Sequence, residues 1–388
     1  MRKSAVLPEA DFARLRDTLS QRFAASGDWR LFRSLRALTS LETYLLRPLR
    51  VALMGEQSSG KSTLINVIMR KNVVPAGALA GIGAYLLLRH GADAALYAVG
   101  SDGSRARLTS KALARMAGPE VRPSSSGMTF YSASELSQTR REELRGAGLL
   151  SLGARSSTEG ITRLIEIIQP HAFLRQAELV EGRGCPEGAG KAVLRHALPV
   201  DLAVWSTLGT QAWKESERQS WDRLPAKLRK NAILLVTYKD ALGAAKHEAK
   251  LISRMQRDAG PFFSNIVLVS LRQAADAIGP DGAIADEARW QRSGAAAFET
   301  ALQSRLATLQ RERRARSLRC LGRLAALTAQ SDASPSVTSP LTVETVKHFQ
   351  GLIRHIERQM AGESDLPADV TARGQEGRPP AAYGQETR

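Results

Sequence analysis

The nine residues that reveal most about this chain are Gly55-Glu56-Gln57-Ser58-Ser59-Gly60-Lys61-Ser62-Thr63. The first eight match the pattern G-x-x-x-x-G-K-[ST], with a short apolar run at 49–54 before the nine residues and an apolar, helix-forming segment after them. The two glycines of the pattern let the backbone bend so that successive N–H groups point inward at phosphate oxygens. We therefore interpret residues 55–63 as a phosphate-binding P-loop between a strand and a helix.

Two side chains of the P-loop have the chemistry that a nucleoside triphosphate requires. The ammonium group of Lys61 is predicted to contact the β- and γ-phosphates, and the hydroxyl of Ser62 is predicted to coordinate Mg²⁺. The N-terminus of the following helix favours the anion through its dipole. All nine residues of the loop are therefore candidate nucleotide-binding residues, with Mg²⁺ as the cofactor.

Short apolar runs alternate with polar or helical stretches downstream of the loop. The clearest runs lie at 84–88, 95–99, 164–168, 178–180, 202–205, 233–236 and 266–269. This alternation favours an α/β fold with a mostly parallel or mixed sheet flanked by helices, over residues 48–285. Three tryptophans at eight-residue spacing, Trp205, Trp213 and Trp221, are expected to be one core residue and two helix-face residues.

Helical periodicity is found on both sides of this domain. Apolar residues recur at three-to-four spacing over residues 1–47 and again over 286–330, which is predicted to be a basic amphipathic helix. Its positive face contains Arg311, Arg313, Arg314, Arg316 and Arg319. Residues 331–342 have the composition of a linker, 343–361 are predicted to form a short helix, and 362–388 a disordered tail.

The overall composition is that of a basic globular protein. The net charge of +17 favours a polyanionic partner, either nucleic acid or an anionic membrane surface, although a basic balance can also be a general feature of a proteome. No run approaches the roughly 18 apolar residues of a membrane span, and the N-terminus lacks the apolar segment of a secretion signal. The two cysteines, Cys185 and Cys320, lie far apart, so we expect free thiols in the cytoplasm.

Several segments resemble the GTPase domain of the dynamin superfamily, specifically the bacterial dynamin-like proteins. Gln57-Ser58 matches a Gln-Ser pair that many dynamin-type loops carry. The stretches that resemble the family's next motifs are Val74-Pro-Ala-Gly-Ala-Leu79 with Leu88-Arg-His-Gly91, then Glu178-Leu-Val-Glu-Gly-Arg-Gly184, and Ile233-Leu-Leu-Val-Thr-Tyr-Lys-Asp240. The resemblance covers about residues 48–275.

This resemblance implies a GTPase-type sheet, neck-like packing of the N- and C-terminal helices, and GTP as the ligand. It implies that Gln57 and Ser58 support catalysis together with Lys61. Asp240 would accept hydrogen bonds from the guanine N1 and N2 groups. The remaining residues that the resemblance assigns to the site are Thr237 and Lys239 near the base and Glu181, which would reach Mg²⁺ through water.

Departures from the family pattern bear on catalysis. The switch threonine should fall near Gly81-Ile82, where neither residue has a hydroxyl group. Glu181 replaces the metal-facing aspartate, and Tyr238 replaces the lysine that packs on the base. We interpret these changes as favouring GTP binding with weakened hydrolysis. In the competing interpretation hydrolysis survives, with Glu181 acting through water and Tyr238 stacking on guanine.

Other functions and partners remain open from the sequence. The alternatives are a non-hydrolysing pseudo-GTPase that scaffolds a partner and a P-loop ATPase linked to nucleic acid. The basic helix could bind anionic lipid at the inner face of the membrane, or form the solvated face of a bundle. The chain is expected to be too short to remodel membranes alone, so a homodimer through the GTPase domain or a dynamin-like partner subunit is expected, with nucleic acid the less favoured partner.

Overall fold

The computed structural model describes residues 9–74, 85–100, 104–109, 121–123, 129–130, 162–182, 200–243, 245–329 and 340–364. The chain divides into two units. We call Pro48–Leu309 the sheet unit, and Met1–Arg47 together with Gln310–Arg388 the helical unit.

A mixed β-sheet organises the sheet unit. The strands are β1 (Leu49–Gly55), β2 (Tyr85–His90), β3 (Ala95–Gly100), β4 (Arg105–Arg107), β5 (Val121–Pro123), β6 (Thr129–Phe130), β7 (Thr162–Gln169), β8 (Ala177–Glu181), β9 (Leu202–Leu208), β10 (Ile233–Thr237) and β11 (Asn265–Leu268). Among the described residues, nine strands have the order β11-β10-β9-β1-β8-β2-β7-β3-β4, and β5 pairs with β6 separately. Strand β1 runs parallel to β8 and β9, and β10 runs parallel to β9 and β11. Strand β2 is antiparallel to β8, and β3 is antiparallel to β7 and β4, so the predicted mixed, mostly parallel sheet is confirmed.

Both units contain helices. They are α1 (Glu9–Ser26), α2 (Trp29–Leu46), α3 (Lys61–Met69), α4 (Ala172–Gln176), α5 (Glu215–Asp222), α6 (Ala226–Arg229), α7 (Ala245–Asp258), α8 (Leu271–Asp276), α9 (Glu287–Ser293), α10 (Ala295–Ala329) and α11 (Pro340–Ser364). No helix among the described residues is long and apolar enough to cross a membrane.

Strand β1 is apolar apart from Arg50, and both of its faces are buried over residues 51–55. Val51 and Leu53 belong to the core on one side of the sheet, together with Leu64 from α3. Ala52 and Met54 belong to the core on the other side. A central parallel strand that is covered on both faces typically has a near-continuous apolar sequence, as residues 49–54 do.

The second core is built around an aromatic cluster. Trp205 on β9 and Trp221 on α5 are fully buried, and their ring centroids lie 5.6 Å apart in an edge-on arrangement. Trp213 packs edge-on against both rings, and Phe263 lies 4.2 Å from Trp221. The expectation that Trp213 lies on a helix face is wrong, because this residue precedes α5 in a turn with a φ of 59°.

The helical unit brings together the N- and C-terminal segments of the chain, as predicted. Its buried side chains are Phe12, Leu15, Leu19, Leu31, Leu38, Leu41, Leu321, Phe349, Leu352 and Ile356. Polar contacts set the relative positions of three helices. Arg22 of α1 donates to the carbonyl of Thr328 on α10, and His348 of α11 lies 3.0 Å from the Thr18 hydroxyl.

The C-terminal helices differ in detail from the predicted segments. A single helix was expected over 286–330, whereas Gly294 separates α9 from α10 in a left-handed conformation. Arg313 does not contribute to an exposed positive face, because it is buried, donates to the Arg47 carbonyl and lies over the Tyr44 ring. Helix α11 begins at Pro340, within the expected linker, and the expected tail from 365 onward lies outside the described residues.

Replacement of Gly294 by alanine should destabilise the sheet unit. The φ of this residue is 86°, and a Cβ there would lie 2.0 Å from the carbonyl oxygen of Leu268. Strain and overlap together should lower the free energy of unfolding by about 2–4 kcal/mol, measured by urea denaturation. Gly260→Ala is the matched control, since a Cβ at Gly260 meets nothing within 4 Å. Equal stability of the two variants would contradict this account.

Candidate nucleotide-binding site

The predicted site residues lie at one edge of the sheet. Strands β1, β8, β9, β10 and β11 are linked by parallel pairing, so their carboxyl ends share this edge. In open α/β sheets ligands bind outside the carboxyl ends of the strands. The P-loop follows β1, Glu181 ends β8, and residues 238–240 follow β10, so three separate segments of the chain meet here.

The P-loop has a backbone that glycine makes possible. Gly55 and Gly60 have φ values of 128° and 88°. A Cβ on Gly55 would lie 2.0 Å from the carbonyl oxygen of Ser206 on β9, and one on Gly60 would lie 2.7 Å from Cδ1 of Leu271 on α8. The loop is therefore tightly enclosed between β9 and α8.

The loop closes around the ammonium group of Lys61. This side chain is 6% exposed, and its Nζ donates to the carbonyl oxygens of Gly55 at 3.2 Å and Glu56 at 2.6 Å. The hydroxyl of Ser206 donates to the Ser59 carbonyl at 2.7 Å. The Ser59 hydroxyl is buried without a hydrogen-bond partner among the described residues. A buried cation and an unsatisfied hydroxyl are groups that a bound anion would stabilise.

Ser62 and Glu181 form the second part of the site. The Ser62 hydroxyl donates to the Glu181 carboxylate, with oxygen–oxygen distances of 2.9 and 3.1 Å. Burial raises the pKa of Glu181, and the nearby Lys61 ammonium and the Ser62 hydrogen bond partly offset this effect. Two hard oxygen groups side by side fit Mg²⁺. The described residues contain no cluster of three or more His, Cys, Asp and Glu side chains that could hold a metal.

The segment after β10 reaches the P-loop through Tyr238. Its hydroxyl donates to the Ser58 carbonyl at 3.4 Å, and its backbone has a φ of 59°. The Thr237 hydroxyl is buried and donates to the carbonyl of Thr207 on β9. The residue that adjoins the loop is therefore Tyr238, whereas the Thr237 side chain connects two strands.

The next two residues of this segment form ion pairs. The Lys239 ammonium lies 3.4 Å from the Glu248 carboxylate and donates to the Arg292 carbonyl at 2.8 Å. The Asp240 carboxylate lies 3.1 Å from the guanidinium group of Arg272 on α8. Both predicted base-binding side chains thus have partners within the sheet unit.

A contact that was not predicted joins the P-loop to α5. The Glu56 carboxylate accepts hydrogen bonds from the Lys214 ammonium at 3.0 Å and from the Ser216 hydroxyl at 3.2 Å. The side chains of Gln57 and Ser58 are exposed. Gly81-Ile82 and Gly184, where the resemblance places switch motifs, lie outside the described residues.

A buried carboxylate holds the start of α5 against β9. Glu217 accepts hydrogen bonds from the Trp205 indole at 3.0 Å, the Thr207 hydroxyl at 2.8 Å and the Lys214 amide at 3.1 Å. Burial raises the pKa of Glu217 above its ordinary value of 4.5 despite these donors. This carboxylate therefore fixes the position of Lys214 beside the P-loop.

Comparisons with known proteins bear on the fold. No family model matches the chain, and no curated protein is similar to it in sequence. Solved structures are similar in fold. One belongs to an oligomerised bacterial dynamin pair, described as a mechanism for long-range sensing and tethering of membranes, at 16% identity and a TM-score of 0.47 over 77% of this chain and 41% of that chain.

Two further structures are of the protein Era. Aquifex aeolicus Era bound to GDP·AlF4⁻ is 14% identical with a TM-score of 0.28, over 58% of this chain and 51% of Era. Era in complex with MgGDPNP and part of 16S ribosomal RNA is 14% identical with a TM-score of 0.30, over 59% and 52%. The chain thus spans less than half of the dynamin chain and about half of Era.

The Glu217→Gln change should lower the free energy of unfolding less at high pH than at low pH. The folded protein favours the protonated form of Glu217, so its contribution to stability is complete below pH 4.5 and is lost as the pH rises through the higher pKa of the folded state. Glutamine does not titrate. The gap in free energy of unfolding between the two proteins should therefore narrow from about pH 4 to about pH 8, by urea denaturation.

The matched control for this measurement is Glu215→Gln on the same helix. Glu215 is exposed, and its hydrogen bond to Arg218 lowers its pKa, so any change with pH should have the opposite sign. If the difference in free energy of unfolding between Glu217→Gln and the unchanged protein widens as the pH rises, the account of the burial of Glu217 is wrong.

Proposed function

We propose that this protein binds GTP with Mg²⁺ in the P-loop and hydrolyses it slowly. The observation that carries this proposal is the enclosed loop in which Lys61 is buried among carbonyl oxygens beside the Ser62–Glu181 pair. When the β- and γ-phosphates enter, the Lys61 ammonium exchanges its bonds with the Gly55 and Glu56 carbonyls for bonds with phosphate oxygens. The backbone N–H groups of the loop complete the cradle.

Ser62 and Glu181 would hold the metal side of the site. The Ser62 hydroxyl would be a direct ligand, and Glu181 would accept a hydrogen bond from water bound to the ion. Mg²⁺, when bound, neutralises charge on the phosphates. A nearby cation also favours the ionised form of Glu181, which burial alone disfavours.

The base would lie beside the turn after β10. Asp240 accepts from the guanine N1 and N2 groups. Thr237 and Lys239 act as positioning residues, because the Thr237 hydroxyl ties the turn to β9 and the Lys239 amide donates to the Val269 carbonyl at 3.2 Å. Slow turnover is expected because Glu181 and Tyr238 replace the aspartate and the lysine of the family pattern, and hydrolysis depends on positioning groups around the phosphate and the attacking water.

The helical unit supports a membrane-associated role. The contacts of Arg22 with Thr328 and of Thr18 with His348 place the end of α1, the start of α2, the end of α10 and the start of α11 together. Large apolar side chains are exposed around these helix ends. They are Trp29 (58% exposed), Phe32 (43%), Leu327 (54%), Val343 (43%) and Val346 (36%). We call this set the apolar tip.

Basic residues accompany the apolar tip. Arg30, Arg33 and Arg36 are exposed on the first turns of α2, and the Arg33 guanidinium lies 5.0 Å from the Trp29 ring. Exposed aromatic rings beside arginines suit the boundary between lipid headgroups and acyl chains. We therefore propose that the apolar tip docks on an anionic membrane surface. This replaces the predicted lipid-binding face of α10, where Arg313 and Arg316 contact Tyr44.

Lys61→Ala should abolish GTP binding and phosphate release. Titration with a fluorescent GTP analogue, followed by competition with GTP and ATP, measures affinity, and release of inorganic phosphate measures turnover. Loss of the buried ammonium removes its charge-assisted bonds to phosphate, so affinity should fall by at least about a hundredfold. The control is Lys71→Ala, which removes an exposed lysine just after α3.

Three results would contradict parts of this proposal. Binding of GTP by Lys61→Ala as tight as by the unchanged protein would overturn the site. GTP binding without phosphate release above the Lys61→Ala background, with anionic vesicles present or absent, would favour the non-hydrolysing scaffold. Preference for ATP over GTP would favour the P-loop ATPase.

The double change Trp29→Ser and Phe32→Ser should reduce membrane binding. Sedimentation with vesicles of phosphatidylserine and phosphatidylcholine should show at least about a tenfold weaker partition, because two buried aromatic contacts with lipid are lost. Ile252→Ser, an exposed apolar residue of the sheet unit, is the control. Equal sedimentation of the double variant and the unchanged protein would exclude the apolar tip as the docking surface.

A further inference from the structure

The start of α8 adjoins the P-loop beside the turn after β10. Leu271 packs where a side chain on Gly60 would lie, and the Tyr238 hydroxyl donates to the Ser58 carbonyl at 3.4 Å. Arg272, which follows Leu271, and Asp240, which lies two residues after Tyr238, are therefore on the same flank of the loop. A base attached to a nucleotide held in the loop would extend over this flank.

Asp240 and Arg272 face each other on this flank. One guanidinium nitrogen of Arg272 lies 3.1 Å from Oδ2 of Asp240. The Arg272 side chain is 67% exposed, whereas that of Asp240 is 17% exposed. An ion pair with one partner so exposed contributes little to stability, so a ligand can rearrange it at small cost. A guanidinium group has five N–H donors, and the contact with Asp240 involves one of its nitrogens.

A carboxylate next to a guanidinium matches the edge of guanine. That edge presents two neighbouring donors, N2–H and N1–H, followed by the acceptor O6. The two acceptor oxygens of the carboxylate match N2–H and N1–H, and the neighbouring guanidinium donor matches O6. Adenine offers one donor at its exocyclic amine and a lone pair at N1, which would face a carboxylate oxygen. The pair therefore distinguishes the two purines at three positions.

We propose that Arg272 donates a hydrogen bond to the guanine O6 while Asp240 accepts from N1–H and N2–H, so that Arg272 is a specificity-determining residue of the nucleotide site. This inference rests on the proposed GTP binding. It assigns a role to a residue outside every sequence motif discussed above. It also gives the ion pair of Asp240 with Arg272 a role in recognition of the base.

The test pairs a change in the protein with a change in the base. Full-length protein with Mg²⁺ and a fluorescent GTP analogue is titrated with GTP, 6-thio-GTP, ITP and ATP. In 6-thio-GTP a weakly accepting sulfur replaces O6, and the N1–H and N2–H donors remain. The unchanged protein should prefer GTP to 6-thio-GTP by about tenfold. Arg272→Ala should lose about tenfold in GTP affinity and bind GTP and 6-thio-GTP equally, with ATP binding unchanged.

Controls separate this role from a structural one. ITP lacks the N2 group that Asp240 contacts, so the ratio of GTP to ITP affinity should be the same with and without Arg272. Arg272→Lys keeps a donor and should retain part of the preference for O6. Arg229→Ala removes another surface ion pair, to Asp222 at 3.3 Å, and should leave every ratio unchanged. Thermal unfolding of each variant confirms that it is folded.

Two outcomes would overturn the inference while leaving GTP binding intact. In one, Arg272→Ala retains the full preference for GTP over 6-thio-GTP. In the other, Arg272→Ala binds GTP more tightly, which would mean that Arg272 only competes with the base for Asp240. If GTP binds no better to the unchanged protein than to Lys61→Ala, the proposed function fails and this inference fails with it.

Discussion

There is no room for a side chain at position 55, and the arrangement of the site depends on this constraint. The backbone of β1 turns into the P-loop directly against the Ser206 carbonyl of β9. Gly60 repeats the constraint at the other end of the loop, against Leu271 of α8. Because both ends of the loop are in contact with neighbouring elements, the loop helps to set the relative positions of β1, β9 and α8. The turn after β10 is then held beside the loop as well.

The electrostatics of the site follow from this close packing. Enclosure of the loop removes water from the Lys61 ammonium and from the Glu181 carboxylate, and both are satisfied by bonds within the protein. A phosphate bound as proposed would therefore meet the Lys61 ammonium already hydrogen-bonded to the Gly55 and Glu56 carbonyls. Binding would exchange these bonds, so affinity would reflect the difference between phosphate and carbonyl as acceptors. Glu217, at the start of α5, is likewise a buried group whose hydrogen bonds are made within the protein.

The sheet and the P-loop could be predicted from the sequence because their signals are local. A continuous apolar run such as 49–54 identifies a strand covered on both faces, and a spaced glycine pair identifies a phosphate loop. The contacts of Glu56 with Lys214 and of Asp240 with Arg272 could not be predicted, because each joins segments that are distant in sequence and gives no periodic signal. The glycine at 294 is a local indication of the left-handed turn between α9 and α10. The helical periodicity on both sides of it nevertheless predicts one continuous helix. Burial of Arg313 likewise depends on the carbonyl of Arg47, which no pattern within α10 reveals.

The aromatic cluster of Trp205, Trp213, Trp221 and Phe263 has a consequence for observing this protein in solution. Indole rings held edge-on at 5.6 to 6.3 Å couple their electronic transitions, so the cluster should carry a strong near-ultraviolet circular dichroism signal. Trp213 is the residue before Lys214, whose ammonium contacts the P-loop at Glu56. The molecule therefore contains an intrinsic chromophore next in sequence to a residue that contacts the P-loop, and a rearrangement of that loop can be followed without any attached label.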